Sequence, residues 1–89
     1  MPGISMFYGV IIYMYFYDNT QHKEPHIHVK YQEKEAVIRI PDGLLLEGKL
    51  PKSKQKLVEA WIEIHQEDLM ADWELCINGE KPFKINPLQ

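Results

Sequence analysis

Two histidines stand one residue apart, directly after a proline, in EPHIHVKY, residues 24–31. In an extended chain alternate side chains share a face, so His26, His28 and Lys30 would line one side and Ile27, Val29 and Tyr31 the other. Imidazole ordinarily changes charge close to neutrality, which suits such a row to general acid and base work. With Lys30, and Arg39 from the following AVIRI stretch, to stabilise developing negative charge, the pattern fits cleavage of a phosphodiester such as RNA. The row could instead hold a metal. Two imidazoles about 6–7 Å apart at Cα share an ion only if further ligands come from elsewhere, and Asp18, His22 and Glu24 are the nearest donors. No second Cys or His cluster stands elsewhere in the sequence, so neither a metal nor another cofactor is assigned. The plainest alternative is a solvated strand face. His65, inside a helical apolar arc, reads as a packed histidine.

A second group is the run of cations Lys49, Lys52, Lys54 and Lys56 in GKLPKSKQK. The start of a helix carries partial positive charge, so lysines crowded there cost a few tenths of a kcal/mol each. An anion bound by the free amides and the ammonium groups would offset that cost, which makes these four residues a candidate anion site. Four lysines neutralise few phosphates, so any nucleic-acid affinity is expected to be weak and salt-sensitive. Residues 57–80 carry seven acids and no lysine or arginine. That span reads as a solvated helix surface or as a docking face for a basic partner, including the lysine end of another copy.

These groups need elements to position them. FYGVIIYMYFYD alternates Val10, Ile12, Met14 and Phe16 with Ile11, Tyr13, Tyr15 and Tyr17, and is read as one long, central first strand. Pro25 biases Glu24 toward an extended conformation, so a second strand begins near His26. The QEKE link permits a hairpin into a third strand, in which Ala36, Ile38 and Ile40 alternate with Val37 and Arg39. Pro41-Asp42-Gly43 is a turn, and LLLEG after it gives a short fourth strand. Helical periodicity starts with Pro51 in the first turn and puts Leu57, Val58, Trp61, Ile62, Ile64, His65 and Leu69 on one arc, opposite Glu59, Glu63 and Gln66. Asp68 would fall inside that arc if the helix ran straight, so a break is predicted near Gln66. A second helical piece, with a Leu69, Trp73, Ile77 stripe, should run to about Ile77 and stop at Asn78-Gly79. The tail KPFKINPLQ is expected to be irregular. The fold class is therefore α+β: an antiparallel meander of three to four strands, followed by a C-terminal helical half packed on one sheet face. The opposite face would display Tyr13, Tyr15, His26, His28, Lys30 and Arg39.

The 89 residues form a single expected domain, residues 1–89, large enough to bury roughly 60–65% of the unfolded surface. The 45% hydrophobic content, with two tryptophans, five tyrosines and three phenylalanines, argues against disorder. The longest apolar run, Val10 to Tyr17, is too short to cross a bilayer, so no membrane partner is expected. Cys76 is the one cysteine, which excludes an internal disulfide. The start MPGISMFYG lacks the basic segment and cleavage site of a signal peptide, and the expected location is the cytoplasm.

FYGVIIYMYF, PHIHV, EGKLP, the amphipathic VEAWIEIH and DWELCINGE together resemble the small bacterial family catalogued as domain of unknown function 4160. The likeness covers nearly the whole chain, and PHIHV and GKLP are its most specific blocks. The resemblance implies a short cytoplasmic protein, often encoded beside a second short protein in a toxin–antitoxin-like arrangement. It implies no activity. Family members commonly carry a second proline where this chain has Glu24, and arginine where it has Lys52 or Lys54, which removes the bidentate fork from any phosphate site here. Three functions follow as expectations. One is a binding or regulatory component of a two-protein system, engaging a second small protein or another copy of itself. The others are a metal-independent ribonuclease using His26, His28, Lys30 and Arg39, and a metal-binding protein using the histidine row.

Overall fold

The computed structural model describes residues 3–17 and 23–89. Five strands run in chain order: β1 (Gly3–Phe7), β2 (Val10–Tyr13), β3 (His26–Tyr31), β4 (Lys34–Arg39) and β5 (Leu45–Gly48). They form one antiparallel sheet in the order β1-β2-β3-β4-β5, followed by α1 (Lys52–Ile64) and α2 (Gln66–Ile77). The α+β class stands, with five strands in place of three to four. The extra strand is β1, which lies before the run read as the first strand and shares only Phe7 with it. Tyr8 and Gly9 take φ values of 50° and 80°, the two positive angles of a tight hairpin turn, and fold Gly3–Phe7 back on Val10–Tyr13. Tyrosine in the first turn position, where asparagine or aspartate is usual, hid that turn. At Gly9 a Cβ would stand 3.2 Å from the Tyr31 ring, on a backbone that already strains any L side chain.

Alternation decides the two faces. Val10, Ile12, Ile27, Val29, Ala36 and Ile38 point inward, where they meet Val58, Trp61 and Ile62 of α1 and Leu69, Trp73 and Cys76 of α2. Met14 continues the inward row, but Phe16, expected to do the same, is 44% exposed because the chain turns at Tyr17 with φ 53°. The Tyr17 amide then donates to the Cys76 carbonyl at the end of α2.

The helical half breaks at His65, whose φ of −113° and ψ of 28° lie outside helical values. The break falls one residue before the predicted one and lets Leu69 and Trp73 rejoin the core. Two details differ from the arc read off the sequence. Ile64 is 64% exposed, since it lies just before the break, and Pro51 stands at the cap position immediately before the first helical turn. Asn78-Gly79 ends α2 as expected: the Gly79 and Glu80 amides donate to the Cys76 and Leu75 carbonyls, with Gly79 left-handed at φ 78°. The tail has no regular structure but is tied down. Phe83 donates its amide to Asp72 Oδ1 at 3.0 Å, Ile85 donates to the Ile4 carbonyl on the outer edge of β1, and Trp61 Nε1 donates to the Asn86 carbonyl at 2.8 Å. Among the described residues no helix is long and apolar enough to cross a membrane.

Candidate functional site on the open sheet face

The face turned away from the helices is built by cross-strand register. Tyr13 pairs with His28, His28 with Val37, and Val37 with Glu47, so one row crosses β2, β3, β4 and β5. The next row holds Ile11, Lys30 and Glu35, and Arg39 faces His26 in a third. Tyr15 extends the surface beyond β2. Its ring lies 4.4 Å from His28, edge to face, and stacks on Tyr13 with centroids 6.3 Å apart and planes 5° from parallel. A cleft of about 420 Å³ opens here, lined by Tyr13, Tyr15, His28, Glu35, Val37 and Glu47 among others. Val37 points outward yet is buried, which gives the cleft an apolar floor. The close pairing of the end of β5 with β4 makes this possible. At Gly48, with φ 80°, a Cβ would collide with the Glu35 carbonyl, so only glycine lets β5 approach β4 closely enough to bring Glu47 into the row.

The four residues read as a catalytic set are brought to this face but not to one point. His28 is half-buried beside the tyrosines, whereas His26 is only 1% exposed. The expectation that both imidazoles stand in solvent therefore holds for His28 alone. At the start of β3 the sheet ends, α2 reaches past it, and Trp73 packs on His26 with ring centroids 4.9 Å apart. His26 Nδ1 lies 2.7 Å from the Glu24 carbonyl, which can only accept, so Nδ1 carries the proton. The two imidazoles remain neighbours, 5.4 Å apart. Arg39 is paired with Asp42: Nε donates to Oδ1 at 2.9 Å, and Nη2 closes the second arm on Oδ2. That fork, helped by the Leu44 amide, holds the Asp42 carboxyl down at about 2. Lys30 is exposed and lies opposite Glu35.

The lysine run is divided by the helix it begins. Lys52 and Lys56, one turn apart, line a shallow groove with Gln55 and Glu59. Lys54 points elsewhere, with Nζ 5.3 Å from the centroid of the Tyr31 ring. Lys49 lies in the connection before the helix, where its amide donates to the Glu35 carbonyl. The α1 start has no side-chain cap. Asp18 and His22, two of the three extra metal donors, fall outside the described residues. Glu24, the third, meets His26 through its backbone carbonyl. Among the described residues no group of three or more His, Cys, Asp or Glu side chains is placed to share an ion.

Two features escaped the sequence reading. Glu47 joins the tyrosines only through the irregular β4–β5 register, which no residue spacing announces. Asp72 is 2% exposed inside α2, with Oδ1 on the Phe83 amide and Oδ2 without a partner among the described residues. Burial pushes its carboxyl up, the Phe83 amide pulls it down, and Asp68 adds to the rise. A signal was present: Asp72 lies between Leu69, Trp73 and Cys76 on the buried side of α2.

A family model described as a domain of unknown function, DUF4160, matches residues 9–74, about three quarters of the chain. The matched span contains the whole Tyr13, His28, Val37, Glu47 row and leaves out β1 and the tail. No curated protein and no solved structure matches the chain.

Proposed function

The chain belongs to the DUF4160 family, and on that premise we propose that it is a binding component of a cytoplasmic two-protein system of the toxin–antitoxin kind, with the open sheet face as its docking surface. The observation that supports this reading is the cleft over Val37, in which two tyrosines and a histidine turn their rings outward on a rigid sheet. Tyrosine brings a large contact area with a polar tip, which favours it in protein interfaces. A ribonuclease built on the same residues would have a single accessible imidazole, because His26 lies under Trp73, and a guanidinium already forked onto Asp42. General acid–base cleavage of a phosphodiester calls for two proton-transfer groups at the scissile bond, and of the two histidines only His28 is accessible to serve as one.

Co-expression with the product of the adjacent short gene tests the proposal. The two proteins should co-purify, and this chain alone should leave growth unaffected. A Tyr13→Ser, Tyr15→Ser variant should fold but lose the partner. Growth arrest by the chain alone, relieved by the neighbour and abolished by His28→Ala, would establish the ribonuclease instead.

A further inference from the structure

We propose that the C-terminal tail is a strap held shut by the uncharged carboxyl of Asp72, and that ionisation of this one side chain lets the strap lift from α2 and from the edge of β1. Among the described residues the strap is fastened by three single hydrogen bonds: the Phe83 amide to Asp72 Oδ1, the Ile85 amide to the Ile4 carbonyl, and Trp61 Nε1 to the Asn86 carbonyl. Ile85 and, in part, Leu88 pack on the core, but Phe83 is 74% exposed, so little apolar surface secures the end beside Asp72. Asp72 itself is 2% exposed, and its Oδ2 has no partner among the described residues. Uncharged, such a carboxyl lacks one hydrogen bond. Ionised, it leaves a buried charge with a single amide to stabilise it, which is far more costly. Water is the nearest relief. A cleft of about 210 Å³ already separates α2 from the tail, with Asp68 and Asp72 on one wall and Phe83 to Asn86 on the other. Parting those walls wets Oδ2 without unpairing any strand of the sheet.

The charged groups around the cleft act in different senses. Asp68, one turn earlier on α2, opposes a charge on Asp72. His65 Nδ1 lies 3.7 Å from Asp68 Oδ2, so a protonated His65 offsets part of that effect. Lys84 lines the tail side and favours the charge, but it is exposed and screened by water. Neither α1 nor β1 contributes a charged group to the cleft. Burial outweighs the Phe83 bond, so the carboxyl ionises above its ordinary value of 3.8. The strap is therefore firmest in acid, opens more readily as the pH rises from 3.8 through the raised value, and changes no further beyond it. Lifting it frees the Ile4 carbonyl and bares the outer edge of β1, an edge able to pair with another chain.

The test combines hydrogen exchange with a carboxyl titration of the isotope-labelled full chain, from below pH 3.8 to neutral. After correction for intrinsic exchange rates, the Phe83 and Ile85 amides should be less protected than Val29 and Ile38 in the sheet, because the strap opens by itself. Their protection should fall roughly threefold or more as the pH rises, with the same midpoint as the Asp72 carboxyl signal. Asp72→Asn keeps an oxygen for the Phe83 amide and should remove that fall. Strap amides as protected as the sheet overturn the proposal. So does protection that stays level or rises with pH, or a fall that persists in Asp72→Asn. Should that variant not fold, the unaltered chain decides: a protection midpoint that disagrees with the Asp72 carboxyl signal overturns the proposal, and agreement upholds it.

Discussion

His26 lies beneath Trp73 with its Nδ1 proton committed to the Glu24 carbonyl, so alanine there would leave a cavity and a carbonyl without its donor. His26→Ala is expected to cost about 2–4 kcal/mol in urea denaturation, whereas His28→Ala, at a half-buried position, should cost about 1 kcal/mol or less. Equal small losses would mean that Trp73 does not cover His26. Asp72 acts in the opposite sense. Its carboxyl is raised by burial, so above the ordinary value of 3.8 the native state keeps a proton that the unfolded chain has released. Stability contributed by this site therefore falls as pH rises from 3.8 through the raised folded value, and then stays level. Asp72→Asn keeps an oxygen for the Phe83 amide and removes that loss. The variant should melt higher than the parent at neutral pH, and the difference should vanish in acid. A parent that gains stability across the same range would contradict the assignment. At this scale the sequence announced the pairing of two histidines but not their unlike surroundings. Strand alternation puts His26 and His28 on one face, and only the path of α2 past the sheet end separates them.

Trp61 shows how much more was legible in the elements. Helical spacing alone put it on the buried arc, and it is fully buried, 5.4 Å from the Phe7 ring and bonded through Nε1 to the Asn86 carbonyl. Trp61→Ala should cost about 3–5 kcal/mol, much of the stability of a domain this size, and should also free the tail. Hydrogen exchange would show lost protection at Ile85 along with the lowered melting temperature. Protection unchanged at Ile85 would mean that the tail is held without Trp61. The helix break was readable because a charged residue, Asp68, would otherwise have fallen on the apolar arc, and the structure resolves the conflict at His65. Strand β1 was not readable, because Gly3–Phe7 precedes the β-branched and aromatic run and nothing in that run marks a turn made by Tyr8 and Gly9. The sheet face itself was anticipated residue by residue at Tyr13, Tyr15, His28, Lys30 and Arg39. Its acidic side was not, because Glu47 enters through a register shift between Val37 and Ile38.

For the whole molecule, the strand order equals the chain order, so every pairing in the sheet is between consecutive segments. This bears on how the chain reaches its structure. Pairing neighbours closes loops of at most the twelve residues between β2 and β3 and sacrifices little chain entropy, so the hairpins can form early and set one another's register. The contacts that bind the second half to the first are of another kind: Tyr17 to Cys76 and Ile4 to Ile85 join residues far apart in sequence. They have little to gain until the sheet exists. Refolding speed should then depend on the Tyr8-Gly9 turn, and unfolding speed on the tail. In denaturant-jump kinetics Gly9→Ala should chiefly slow refolding, while Ile85→Ala should leave refolding nearly unchanged and hasten unfolding. The reverse pattern would mean that the ends of the chain meet before the sheet does.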